Sequence, residues 1–143
     1  MYYGKNGYRE NYEKIIEMNK FLVEKINDID ELFIYGKPKL SIIGIGSEKI
    51  NISMLGDLLK KKGWDINMIQ NPDGFHFCIT SYHNLDVLKN FVNDINYIIK
   101  NNKLKKGSYS PCIYGTMKKI NDTDIIDKVL VNYLHSVNGI RKF

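Results

Sequence analysis

A chain of 143 residues, 43% of them apolar, has the length of one domain and the material to fill its core, while its 11 glycines and 3 prolines are too few for a linker-dominated or disordered chain. Its longest apolar runs, such as Leu40–Gly46, fall far short of the ~20 residues that cross a bilayer, and its first residues lack the apolar centre of a signal peptide. This argues against a membrane segment or secretion and leaves a cytoplasmic or cytosol-facing location as the expectation. The net charge of +5 is mild, and outside Lys60–Lys62, Lys105–Lys106 and Lys118–Lys119 the lysines are scattered among Asn, Asp and Glu, so no nucleic-acid partner is expected.

From Tyr8 to Ile29 the apolar residues Tyr12, Ile15, Ile16, Leu22, Val23 and Ile26 recur at three and four, which predicts a helix with one buried face. Leu32–Tyr35 predicts a short strand that ends at Gly36-Lys37-Pro38, where proline removes a donor and glycine permits a turn. Leu40–Ile45 predicts a second strand. Asn51 is an N-cap for a helix carrying Ile52, Leu55, Leu58 and Leu59; Lys60–Lys62 suit the negative end of its dipole, and Gly63 ends it.

Trp64–Ile69 alternates Trp64, Ile66 and Met68 against Asp65 and Asn67, and Phe75–Thr80 follows the turn Asn71-Pro72-Asp73-Gly74. Together they predict an antiparallel hairpin. Asn84 opens a further helix with the stripe Leu85, Leu88, Val92, Ile95 and Ile99 and with Asp86 near its positive end. The stripe is expected to face the sheet. Asn101–Gly107 breaks the pattern, a loop spans Ser108–Met117, and Asp122 or Thr123 caps a last helix with Ile126, Val129, Leu130, Tyr133 and Leu134 inward. Hairpins with helices on one face give an α+β domain with a mainly antiparallel sheet.

His76 and Cys78 share one face of a strand, because side chains alternate with period two. A zinc site needs more ligands, and the remaining candidates Cys112, His83 and His135 show no metal spacing. Between Phe77 and Ile79, Cys78 is expected to be a small buried hydrophobe. Without a secretion signal, Cys78 and Cys112 are expected to stay reduced. Gly44-Ile45-Gly46-Ser47 follows a strand and precedes a helix, but it lacks the third glycine of a dinucleotide fingerprint and the lysine of a P-loop; a glycine-relaxed strand end is the expectation. The segment Ser108–Thr116 is the most site-like loop, since its tyrosine hydroxyls can donate to an anion and Gly115 lets a backbone approach.

Lys62-Gly63-Trp64, Phe75-His76-Phe77-Cys78-Ile79-Thr80 after Pro72, Ile113-Tyr114-Gly115, the run Gly36–Ser47 and Gly4-Lys5-Asn6-Gly7-Tyr8 together resemble sphingosine-1-phosphate lyase, of the pyridoxal-phosphate (PLP)-dependent group II decarboxylase-like family. The likeness covers the chain from Tyr2 to its last helix and is confined to the family's small C-terminal domain, which belongs to a fold-type I PLP enzyme. Residues 1–30 match a linking helix. The family's large PLP-binding domain, with its Schiff-base lysine in a His-Lys-Tyr-Gly-like setting, has no counterpart motif here.

The resemblance implies that no catalytic, cofactor-binding or metal-binding residue lies in this chain and that it is inactive alone. In the assembled enzyme it implies PLP on a large partner domain or chain, contacts across a dimer, and cleavage of a phosphorylated long-chain amino alcohol to an aldehyde and phosphoethanolamine. Tyr114, Gly115 and His76 are the substrate-binding candidates, with His76 directed toward the domain interface and His76-Phe77-Cys78 otherwise structural. The alternative is a non-catalytic interaction module that kept the family's fold.

Overall fold

In the computed structural model of the chain, residues 4–106, together with 128, 131 and 132, are described. The elements run α1 (Gly4–Asn27), β1 (Phe33–Ile34), β2 (Ile42–Gly46), α2 (Ile52–Lys61), β3 (Asn67–Ile69), β4 (Gly74–Cys78) and α3 (Leu85–Asn101). The four strands form one sheet in the order β1-β2-β4-β3, antiparallel at every pairing. The expected α+β architecture is present through α3. Of the last predicted helix only Lys128, Val131 and Asn132 are described, helical and exposed; the residues expected to face inward, Ile126, Val129, Leu130, Tyr133 and Leu134, lie outside the described residues.

Alternation along the strands divides the sheet into two unlike faces. Ile43 and Ile45 of β2 and Phe75 and Phe77 of β4 are buried and meet Leu22 and Ile26 of α1, Leu55 and Leu59 of α2, and Leu88, Phe91 and Ile95 of α3 in one apolar core. All three helices pack on this side. Phe91 stacks on Phe77 with ring centroids 4.5 Å apart and meets Trp64 edge-on at 5.0 Å, so aromatic contacts tie α3 to the hairpin.

Local chemistry sets the helix ends. Asn51 accepts from the Met54 N–H at 3.0 Å, and Asn84 accepts from the Val87 N–H at 2.9 Å, as N-caps do. Gly63, at φ +94°, closes α2: its N–H donates to Lys60 O at 2.9 Å, and the Trp64 N–H donates to Leu59 O at 3.1 Å. This is a Schellman arrangement, and it delivers Trp64 to the core rim rather than into a strand. The strand predicted from Trp64 therefore begins only at Asn67.

Two further expectations are corrected. Tyr12, expected on the buried stripe of the first helix, is 52% exposed, because the buried face of α1 starts at Met18. Beyond α3 the chain also does more than break its pattern. Leu104 is buried, its carbonyl accepts from the Asn51 N–H at 2.9 Å, and Lys105 bridges Ile50, so this segment pins the start of α2.

A polar cluster closes the seam between α2 and α3. Asp94 accepts from Lys62 Nζ at 2.6 Å and from Trp64 Nε1 at 2.8 Å, and Lys62 Nζ also lies 4.6 Å from the centre of the Tyr97 ring. The hydrogen bond from Lys62 holds the Asp94 carboxyl below the usual carboxylate range against the opposing effect of burial, with help from Trp64. A depressed carboxyl stabilises the fold above the unfolded-state value and ceases to do so as pH falls through the folded one. Asp94→Asn is accordingly expected to cost about 0.5–1 kcal/mol at pH 7, a low figure because Lys62 is over a third exposed and the pair is screened. Urea titrations at several pH values should show the gap between the two proteins narrowing below about pH 4; a gap that persists at pH 2 would contradict this account.

Candidate functional site

The second face of the sheet carries no helix among the described residues. Phe33 and Tyr35, the outward glycines Gly44, Gly46 and Gly74, and Ile42, Ile69, Asn67, His76 and Cys78 lie on it, as register requires: Ile42 pairs with Cys78, Gly44 with His76, and Asn67 with His76. His76 is half-buried, between Gly44 on one side and the exposed Asn67 on the other. Cys78 is exposed, which corrects the expectation of a buried thiol. With Phe77 and Ile79 both buried, the residue between them must face the other way.

Tyr35 covers one end of this face. A Cβ on Gly46 would lie 2.7 Å from Tyr35 Cζ and Phe33 Cζ, so the glycine leaves room for both rings against β2. Phe33 and Tyr35 meet edge-on at 5.0 Å, and the Tyr35 hydroxyl donates to Asp73 O at 2.6 Å. Burial pushes the Tyr35 phenol up, and the Glu48 carboxylate adds to the shift; the tyrosine is a neutral clamp between β1 and the β3–β4 turn. Sequence reading missed it, although glycines facing an aromatic on a neighbouring strand are a usable signal.

The Gly44-Ile45-Gly46-Ser47 stretch binds its own chain. Ser47 Oγ accepts from the Lys49 N–H at 3.1 Å and the Ile50 N–H at 3.0 Å and donates to Glu31 O at 2.5 Å. The expectation of a strand end rather than a phosphate cradle agrees with this geometry. On the β4–α3 loop, His83 Nδ1 accepts from the Thr80 N–H at 2.9 Å, and its ring lies 5.4 Å from Phe77, so His83 orders this loop. Among the described residues no three His, Cys, Asp or Glu side chains form a metal-binding group, and no helix is long and apolar enough to cross a membrane. Tyr114, Gly115 and Cys112 lie outside the described residues, so of the three substrate-binding candidates His76 alone falls within them.

No protein-family model matches the chain. It is 34% identical over 136 residues to the sphingosine-1-phosphate lyase of Arabidopsis thaliana, an alignment covering 93% of this chain and 25% of that protein. Its fold matches the solved sphingosine-1-phosphate lyase of Burkholderia pseudomallei with a TM-score of 0.65 at 21% identity, over 91% of this chain and 26% of the other. A mutant of C-DES with glycine covalently linked to its PLP cofactor matches over 61% of this chain and 23% of the other, with a TM-score of 0.56 and 12% identity. The chain thus spans about a quarter of the length of the curated relatives it matches. It is a relative of the sphingosine-1-phosphate lyases over their small C-terminal domain.

Proposed function

We propose that this domain serves as the C-terminal domain of a sphingosine-1-phosphate lyase-like, PLP-dependent carbon–carbon lyase and closes one side of a site whose cofactor is held by a larger domain. The observation that carries this reading is the alignment of 93% of the chain with a lyase at 34% identity. On this reading His76, Tyr114 and Gly115 face the substrate, a phosphorylated long-chain amino alcohol.

The described residues do not themselves fit PLP. A lysine that forms a Schiff base is one whose amine is readily deprotonated, as in a desolvating pocket, yet every described lysine except Lys25 is exposed. Lys25 is ion-paired to Glu24 at 3.0 Å and Asp28 at 3.1 Å, and these hydrogen bonds raise its pKa, which is the wrong direction for a nucleophile. On the proposed reading the cofactor that would supply the electron sink for cleavage is held by residues of the larger domain. The same observation favours, as a second reading, a non-catalytic interaction module derived from the family.

Incubation of the 143-residue chain with PLP, borohydride reduction and peptide mapping is expected to trap no single lysine stoichiometrically; one such adduct would overturn this division of labour. The larger test is a chimera in which this chain replaces the aligned quarter of the Arabidopsis lyase. Cleavage of sphingosine-1-phosphate by the purified chimera is the expected result. A folded, PLP-loaded but inactive chimera would favour the interaction module.

A further inference from the structure

We infer that a band of lysines along the seam between α2 and α3 is a docking surface for an anionic lipid bilayer. The chain scatters these lysines and the fold gathers them. Lys61 and Lys62 close α2, and Lys62 Nζ lies 4.6 Å from the centre of the Tyr97 ring. Lys100 follows Tyr97 by three residues and so shares its face of α3. Past α3 the chain meets the start of α2: the Leu104 carbonyl accepts from the Asn51 N–H and Lys105 bridges Ile50, which brings Lys105 and its neighbours Lys103 and Lys106 to that end of the helix. These six lysines are exposed and are spread over the length of α2, about 15 Å at 1.5 Å per residue. The band lies on the opposite side of the sheet from His76 and does not depend on the lyase reading.

Charge is segregated across the helical side. Residues 49–62 and 93–106 hold eight lysines against Asp57 and Asp94, and Asp94 is engaged by Lys62 and Trp64. From Gly4 to Glu31 the balance is reversed, seven acidic residues against five basic, with Arg9 paired to Glu13 and Lys25 to Glu24 and Asp28. α3 packs against both α1 and α2, so the acidic and basic flanks meet a negatively charged plane in one preferred orientation. The composition of the band selects its occupant. All its cations are lysines, and Arg9 on α1 is the one arginine among the described residues. Lysine is a compact, hydrated charge on a flexible stem, suited to the diffuse field of lipid headgroups, whereas a bidentate grip on a single phosphate needs arginine. Single-stranded nucleic acid is also held by bases stacked on aromatic rings, and Tyr97, the one aromatic in these two stretches, already carries Lys62 over its ring. The contact is peripheral and electrostatic, so salt screens it.

Flotation of the full 143-residue chain with vesicles tests this. The chain should bind vesicles of phosphatidylcholine with phosphatidylserine at about 7:3 and leave pure phosphatidylcholine vesicles unbound, and binding should fall at least about tenfold from about 50 to about 300 mM salt. Lys61→Glu/Lys100→Glu/Lys103→Glu should weaken binding at least about fiftyfold, since each lysine near a charged bilayer contributes about fivefold and reversal takes away more. Lys5→Glu/Lys14→Glu/Lys20→Glu, an equal change of net charge on exposed positions of α1, should weaken it no more than about fivefold. Both variants should melt with the parent chain, because exposed substitutions cost little; if the first melts lower, Lys61→Gln/Lys100→Gln/Lys103→Gln carries the comparison.

No binding to the anionic vesicles, or equal binding to both kinds of vesicle, would overturn the lipid surface as occupant. An equal loss in the two triple variants would mean that net charge alone acts, and full binding by the first variant would place the contact elsewhere in the chain; either overturns the band. Tighter binding to a generic single-stranded RNA than to the vesicles in the same salt, lost in the first variant, would assign the band to nucleic acid and overturn the bilayer. All of these outcomes leave the lyase reading to its own test in the chimera.

Discussion

Truncation of Phe91 to alanine is expected to remove about 3–5 kcal/mol of stability, the range for a fully buried aromatic whose site cannot collapse. Phe91 has no solvent exposure, stacks on Phe77 at 4.5 Å and takes the edge of Trp64 at 5.0 Å. Its removal opens a void where α3, β4 and the end of α2 converge, and Trp64 is held there by Asp94 and cannot swing in to fill it. Against a total of about 5–15 kcal/mol for a domain, that loss leaves a marginal fold. Urea denaturation followed by tryptophan fluorescence measures it directly, because the one tryptophan of the chain sits against the altered residue. Phe91→Leu keeps most of the volume and should recover more than half of the loss. A drop below about 1 kcal/mol for the alanine variant would mean that the three rings do not form the joint described.

Which parts of this molecule were legible in the sequence follows from how local each signal is. α2 and α3 were readable because their caps are written beside them: Asn51, Gly63 and Asn84 act on backbone groups within a few residues. The stripe read on α3 nevertheless omitted Phe91, which lies three residues after Leu88 and four before Ile95, so the spacing itself held the missing member. Cys78 was assigned to the core from its buried neighbours, although the period-two rule that put it on the face of His76 also puts it opposite Phe75 and Phe77. The Lys62–Asp94–Trp64 cluster spans thirty residues or more, and the Tyr35–Asp73 clamp spans 38. Contacts of that kind are made by topology and leave no local pattern. For the candidate site, the face of His76 was legible from alternation alone, but its glycine-and-tyrosine floor and its lack of charge emerge only once four separate strands are assembled in order.

That floor is where a single methyl group should do most damage. Gly74 lies on β4 beside β2, and a Cβ there would lie 2.5 Å from Ile45 O and 2.9 Å from Tyr35 Cε2. The first neighbour is backbone of the central strand, engaged with Phe75 across the ladder, so it cannot swing aside as the end of a side chain can. The second is the ring whose hydroxyl clamps the Asp73 carbonyl. Gly74→Ala must therefore part β2 from β4 and shift Tyr35, and a cost of about 3 kcal/mol, the upper part of the range for an overpacked core, is expected. Gly44→Ala provides the control on the same face: its Cβ would meet Tyr35 Cβ at 3.4 Å and Ile69 Cδ1 at 3.9 Å, ordinary contacts. With no strain to offset it, the reduced freedom of the unfolded chain should leave that variant neutral or about 0.5 kcal/mol more stable. Thermal melts of the two variants beside the parent chain test the contrast. Equal melting temperatures would mean that β4 does not lie against β2 in the register described, and the open face built on that register would fall with it.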